Sequence, residues 1–393
     1  MSIRKLSETI PIAPLKIIAL ENIKELGEKV NQYIVNSRHD QLKNNTSKTL
    51  CLGYQKDSYL VNYSIPRFGS GEAKAVINET IRGADLFIIA DVMNYSKMYQ
   101  IFDTDNHKSP DDHFQDLKRI IAAAKISKVK RITVILPFLY ESRQHRRDKL
   151  ESLDCAYALQ ELSQMGVENI ITFDAHDARV QNAIPIRGFD NFFTSYQFIR
   201  DLLRYEPDIK IDKEHLMMIS PDEGGMTRAV YYANVLGIEM GMFYKRRDYS
   251  TIVDGRNPIL SHEFLGSSVE GKDVFIVDDM ISSGDSILEV AAELKKRNAA
   301  RVFIGATFGL FCNGLERFDK AYEEKIFDRI FTTNLIYNPP ELLDKPYYHN
   351  VDLHRYMSLI IESLNHDTSI NDIISHPALI KELLDAHNMK TNI

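Results

Sequence analysis

An α/β chain with two mainly parallel sheets follows from three observations. Short apolar runs recur along the 393 residues, amphipathic stretches separate most of them, and polar residues cluster just past several runs. Strands alternating with helices indicate parallel sheets flanked by helices, and open sheets of this kind bind ligands beyond the carboxyl ends of their strands.

The first strands are predicted at Leu15–Leu20, Tyr59–Ile65, Asp85–Ala90, Ile132–Phe138 and Asn169–Phe173. Asp116–Ala124 and Asp154–Met165 carry the helical period between them. Later strands are predicted at Leu216–Ile219, Met240–Tyr244, Val274–Val277, Val302–Ala306 and Ile330–Thr333, with helices at Thr227–Leu236 and Ser286–Arg297. So many strands exceed one ordinary open sheet, which places a junction near Arg187–Ser195 and two domains at 1–187 and 188–367. Asn36–Asp57 and Asn94–Asp112 are polar without clear period and read as surface insertions or loops. Residues 368–393 read as a peripheral tail with a short helix or two.

The net charge of −7 argues against global attraction to nucleic acid or to an anionic membrane. Cys51, Cys155 and Cys312 are far apart and form neither a zinc-ligand pair nor a disulfide framework. The first residues lack an apolar core with a cleavage site, and no apolar run has membrane length. A soluble, cytoplasmic protein is expected.

The stretch Asp273–Ser286, DVFIVDDMISSGDS, has the order strand, acidic pair, small-residue turn, helix. N–H groups at a helix N-terminus bind anions, and small hydroxylated residues let a phosphate approach them. Ser282, Ser283, Gly284, Asp285 and Ser286 therefore suit a phosphate, while Asp278 and Asp279 suit sugar hydroxyls or a metal bound to them. The combined reading is a sugar phosphate. The same letters also describe a buried strand end followed by a helix capped by Ser282 or Ser283, and both readings stay open at this point.

Four further stretches stand past predicted strands. In SPDEGGMTRA, Ser220–Ala229, Gly224 and Gly225 permit close backbone approach and Asp222 supplies a carboxylate, as would any glycine turn with a solvated Asp. In FDAHDARVQ, Phe173–Gln181, Asp174, His176 and Asp177 suit a divalent ion or a polar turn. RQHRRDK, Arg143–Lys149, and KRR, Lys245–Arg247, are solvated charge runs if taken singly. Beside strand-end sites they suit a polyphosphate, because guanidinium forks match phosphate oxygens and lysine adds a mobile charge. An acidic chain with two focused basic segments fits a nucleotide better than a long nucleic acid. Neither G-x-x-x-x-G-K-[ST] nor G-x-G-x-x-G occurs, so any ATP is bound without a Walker loop.

In chain order, RFGSGEA (Arg67–Ala73), SRQHRRD (Ser142–Asp148), FDAHDARVQ, SPDEGGMTRA, YKRRD (Tyr244–Asp248) and VDDMISSGDS (Val277–Ser286) resemble the ribose-phosphate pyrophosphokinases, over about Leu15 to Asp367. The resemblance implies two tandem type I phosphoribosyltransferase-like domains and homo-oligomers whose neighbouring subunits complete the nucleotide site. It implies transfer of the β,γ-diphosphoryl group of Mg-ATP to the anomeric hydroxyl of ribose 5-phosphate. It assigns Phe68, Ser70, Gly71, Glu72, Arg143 and Gln144 to ATP, Asp278, Asp279 and Ser282–Ser286 to ribose 5-phosphate, and His176 and Asp222 to Mg2+. Lys245 and Arg247, on a loop able to close, are the implied catalytic pair. Alternatives are a phosphoribosyltransferase that consumes phosphoribosyl pyrophosphate, and a catalytically silent regulatory homologue. The Arg143–Asp148 motif and the doubled domain oppose the first, and Lys245, Arg247, His176 and Asp222 oppose the second. The chain departs from the family pattern at Ser70, His145, Ser282 and Asp285, the last placing a negative side chain near the phosphate unless it points away.

Overall fold

Strands before residue 193 are β1 (Leu15–Ala19), β2 (Tyr63–Ser64), β3 (Val76–Ile77), β4 (Asp85–Ile89), β5 (Met98–Ile101), β6 (Thr104–His107), β7 (Arg131–Ile135), β8 (Asn169–Phe173) and β9 (Gly188–Phe192) in a computed structural model that describes residues 9–44, 48, 50–247, 259–371 and 377–391. Parallel pairing in the order β1-β4-β7-β8-β9 makes the first sheet. Every residue of β4 is buried, as expected of a strand covered on both faces. The helix Pro110–Ile126 opens with a capping box between Ser109 and Asp112 and buries Phe114, Leu117, Ile120 and Ile121. β2–β3 and β5–β6 are small antiparallel hairpins.

Later strands are β10 (Leu216–Ser220), β11 (Glu239–Arg247), β12 (Ile259–Leu265), β13 (Asp273–Ile281), β14 (Val302–Gly309), β15 (Arg329–Thr333) and β16 (Tyr348–Val351). They form a sheet in the order β12-β11-β10-β13-β14-β15-β16, parallel except for β11–β12. Its core joins Val274, Ile276 and Ile304 from the strands to Val290, Leu294 and Phe318 from the helices Asp285–Lys296 and Glu316–Glu323.

The chain forms two compact units, residues 1–193 with 334–337 and 352–375, and residues 194–333 with 338–351 and 376–393. This differs from the expected 1–187 and 188–367 in three respects. Gly188–Phe192 pairs with β8 and closes the first sheet, so the junction lies past it. The helix His354–Asn365 returns to the first unit and packs against the helix Lys24–Asn44. The tail helix Pro377–Thr391 is docked on Ser195–Tyr205 in the second unit, with Ile380 fully buried.

Two predicted loops also acquire structure. Asn36–Asn44 is the end of a long helix, and Arg38, Gln41, Lys48 and Tyr54 are buried. Buried polar residues erase the apolar period that would have revealed the helix. Within Asn94–Asp112 lies the β5–β6 hairpin, then the start of a helix. Conversely, Tyr59–Ile65 yields only a parallel bridge to β1, with Ile17 N–H donating to Tyr59 O and Val61 N–H to Ile17 O, both at 2.8 Å, followed by the short β2.

Candidate active site

In the second unit, β13 is longer than expected and contains the acidic pair. It pairs with β14 as far as Ile281, whereas its ladder to β10 stops at Ile276. Asp278 and Asp279 therefore stand beside the point where β10 gives way to the Ser220–Gly225 turn. There, Asp222 Oδ1 accepts the N–H groups of Gly224 and Gly225 at 2.9 and 3.2 Å. A Cβ on Gly225 would lie 2.8 Å from Ser220 Oγ, so glycine permits the turn to fold back on the end of β10.

The acidic pair carries a concentrated charge. Asp279 N–H donates to Asp278 Oδ1 at 2.8 Å, and Arg228 Nη1 lies 3.6 Å from the same oxygen. Burial and then the charge of Asp279 raise the Asp278 carboxyl well above its ordinary range, with Asp222 adding and Arg228 opposing. Arg228 belongs to SPDEGGMTRA, yet nothing in its spacing distinguishes it from a solvated helix arginine.

The helix Asp285–Lys296 has Gly284 at its N-cap, without a side-chain cap bond. Ser283 Oγ reaches only the Asp285 N–H, at 3.5 Å. Gly284 has φ +88, and a Cβ there would fall 2.2 Å from the Phe318 ring. The first-turn N–H groups of the helix lie at this turn, a position whose chemistry suits an anion. Asp285 is paired with Arg317, which offsets the negative charge that the sequence places beside this turn. Arg317 lies 32 positions away and carries no sequence signal of that role.

In the first unit, Arg67–Ala73 folds as a tight hairpin. Arg67 and Ala73 bridge, Phe68 N–H donates to Glu72 O at 2.7 Å, and Gly71 takes φ +89. Phe68 is 56 % exposed, and Ser70 Oγ donates to Glu72 Oε2 at 2.8 Å. Arg143 and Gln144 follow β7, and Asp174–Asp177 follows its neighbour β8, which brings the two stretches together. His145 bridges them: its Nε2 lies 3.7 Å from Asp177, and its ring meets exposed His176 edge-on at 5.2 Å. Asp177 is held down to about 2, first by hydrogen bonding to Arg179 and last by the charge of His145.

Lys245 and Arg247 lie in β11 rather than on a loop, opposite His262 and Ile259 of β12, with a register shift between Arg246 and Arg247. Asp248 lies outside the described residues. His176 belongs to the first unit and Asp222 to the second. Among the described residues no three metal-ligating side chains form a cluster. Asp91, at the end of β4, is a group that the sequence reading missed. It is fully buried, accepts N–H groups from Met93 at 2.8 Å and Tyr337 at 2.7 Å, and burial raises it to about 7.

Comparison with known proteins assigns each half separately. Residues 15–166 match the N-terminal domain of ribose phosphate pyrophosphokinase, and residues 193–345 match a phosphoribosyl transferase domain. The ribose-phosphate pyrophosphokinase of Chlorobaculum tepidum is 29 % identical over 325 residues, covering 82 % of this chain and 84 % of that protein. That of Vibrio parahaemolyticus is 28 % identical over 311 residues, covering 78 % and 89 %. The phosphoribosylpyrophosphate synthetase structure from Mycobacterium smegmatis shares the fold, with a TM-score of 0.70 at 20 % identity, over 90 % of this chain and 99 % of that one.

Proposed function

The chain belongs to the ribose-phosphate pyrophosphokinase family, and from that premise we propose that it transfers the β,γ-diphosphoryl group of ATP to the anomeric hydroxyl of ribose 5-phosphate. The new bond joins the anomeric oxygen to the β-phosphorus, and the bond that breaks joins that phosphorus to the α,β-bridging oxygen. AMP leaves with the electron pair, and the hydroxyl proton is released.

The observation that carries this reading is the glycine-capped turn Ser282–Ser286, at a helix N-terminus, next to Asp278 and Asp279. The turn takes the 5-phosphate, and the carboxylates accept hydrogen bonds from ribose hydroxyls. Phe68 offers a face to adenine, while Ser70 and Glu72 offer polar groups to its edge; Arg143 and Gln144 engage the nucleotide. Lys245 and Arg247 counter the charge on the transferring group.

Magnesium fits the donor chemistry. Crowding of Asp222 and Asp279 around Asp278 is the kind of charge excess that a divalent cation relieves, and Mg2+ takes few protein ligands alongside substrate phosphates. His176 and Asp222 are the residues proposed to hold it. When bound, it neutralises phosphate charge and polarises the phosphoryl oxygens.

Purified protein given ATP, ribose 5-phosphate and magnesium is expected to release AMP in step with sugar consumption. Lys245→Ala should lower kcat by about 10³-fold or more with the circular dichroism spectrum unchanged. AMP release only with a different sugar phosphate would move the substrate, and ATP binding without turnover would return the silent-homologue reading.

A further inference from the structure

The β5–β6 hairpin has no part in the roles given above. Its two-residue turn is Phe102-Asp103, with φ +47 and +61. A turn of this sign at both central positions favours Asn, Asp or Gly, and a bulky aromatic residue there is strained. The strain does not bury the ring: Phe102 is 78 % exposed. Strain retained at an exposed aromatic residue points toward function.

The hairpin is applied to the Arg67–Ala73 loop by several independent contacts. Phe102 N–H donates to Gly69 O at 2.9 Å. The Arg67 guanidinium stacks on Tyr99, 4.0 Å from the ring centre, and Nη1 donates to Gly71 O at 2.9 Å. A Cβ on Gly71 would meet Ile101 at 3.0 Å and Tyr99 at 3.7 Å. The other face of this arrangement is fixed by the helix Pro110–Ile126. Arg67 Nη2 pairs with Asp116 at 3.0 Å, and the Tyr99 hydroxyl donates to Asp112 at 3.2 Å. Arg67, Tyr99 and that helix thus close a ring of contacts around the base of the loop.

We propose that the β5–β6 hairpin is the nucleotide-positioning element of this enzyme. It holds the loop bearing Phe68, Ser70 and Glu72 in its base-binding shape, and it presents Phe102 as a second aromatic surface for the purine. Loops ordered before binding gain affinity because less freedom is lost on association. Tyr99 and Arg67 act as positioning residues, whereas Phe102 touches the nucleotide. The inference rests on the reading of Arg67–Ala73 as part of the ATP site.

The test measures KM for ATP and for ribose 5-phosphate separately, together with melting temperature, in the full-length protein. Tyr99→Ala should raise KM for ATP about tenfold, leaving KM for ribose 5-phosphate and kcat within about twofold. Tyr99→Phe keeps the ring under Arg67 and should restore most of the ATP affinity. Phe102→Gly relieves the turn, so its melting temperature should equal or exceed that of the wild type while KM for ATP rises several-fold. Unchanged KM for ATP in Phe102→Gly and Tyr99→Ala would overturn the proposal. So would equal losses on both substrates with a lowered melting temperature in each variant. Failure of the wild-type protein to bind ATP would instead remove the reading of the loop on which the proposal stands.

Discussion

Asp285 and Arg317 illustrate how a single residue changes meaning in the fold. Alone, Asp285 opposes an anion at the start of its helix; joined to Arg317 it forms a pair with no net charge beside the turn. Both side chains are well exposed, so salt screens the pair and its contribution to stability is small. Its effect on a phosphate at the proposed site is larger, because removal of Arg317 leaves a carboxylate facing an anion. Arg317→Ala should raise KM for ribose 5-phosphate roughly threefold to fivefold at low salt, equivalent to about 1 kcal/mol, and less at high salt. Adding Asp285→Gly to that variant should recover the loss. An Arg317→Ala enzyme with unaltered KM at low salt would show that the pair does not reach the phosphate.

The helices Lys24–Asn44 and His354–Asn365 are joined through a buried charge. Arg38 donates to Glu362 Oε1 through Nε at 2.9 Å and Nη2 at 2.6 Å, and Nη2 also reaches Asn365 at 2.8 Å. The rings of Tyr54 and Tyr59 lie 4.6 and 4.7 Å from the guanidinium carbon. Arg38 Nη1 and Glu362 Oε2 have no hydrogen-bond partner, so the pair does not fully offset its own desolvation. Glu362→Leu should therefore cost about 3–5 kcal/mol by stranding Arg38, and adding Arg38→Met should recover most of that in chemical denaturation. A double variant no more stable than Glu362→Leu would contradict the argument. The same pair explains why the end of the first helix is illegible in the sequence. Its inward face carries arginine and glutamine, and the partner stands 324 positions later.

At the scale of the whole molecule, two buried groups of the first unit oppose each other in acid. His366 donates to or accepts from Thr9 through Nδ1, its Nε2 has no hydrogen-bond partner, and burial lowers it from 6.5 to about 3. Below about pH 6.5 the unfolded chain takes a proton that folded His366 refuses, so stability falls by roughly 1.4 kcal/mol per pH unit down to about 3. Asp91 is raised from 3.8 to about 7, so the folded chain keeps a proton that the unfolded chain loses. Its contribution is complete below about 3.8 and is lost as pH rises through 7. Between about 4 and 6.5 the two slopes cancel. Asp91→Asn should unmask the histidine, making the first unit lose stability with acid in a range where the wild type stays flat by comparison. Thermal denaturation across pH 4–7 reads this difference, and parallel profiles for the two proteins would refute it.

The sequence by itself determined the α/β class, most central strands and the strand-end placement of Asp174–Asp177 and of the Ser220–Gly225 turn, whereas Lys245, Arg247 and the acidic pair lie inside strands longer than expected. It could do so because alternating apolar runs and turn residues are local patterns, readable within a few positions. It also exposed the acidic pair, the Ser-Gly turn and the basic segments, whose chemistry is carried by adjacent residues. Only the tertiary structure decided that Gly188–Phe192 closes the first sheet, that His354–Asn365 returns to the first unit, and that His145 joins His176 to Asp177. Only it paired Asp285 with Arg317 and set the β5–β6 hairpin against the Arg67–Ala73 loop. The physical reason is common to all five. Each depends on groups far apart along the chain or on polar residues placed where local pattern predicts solvent, and such pairings exist only once the sheets have assembled.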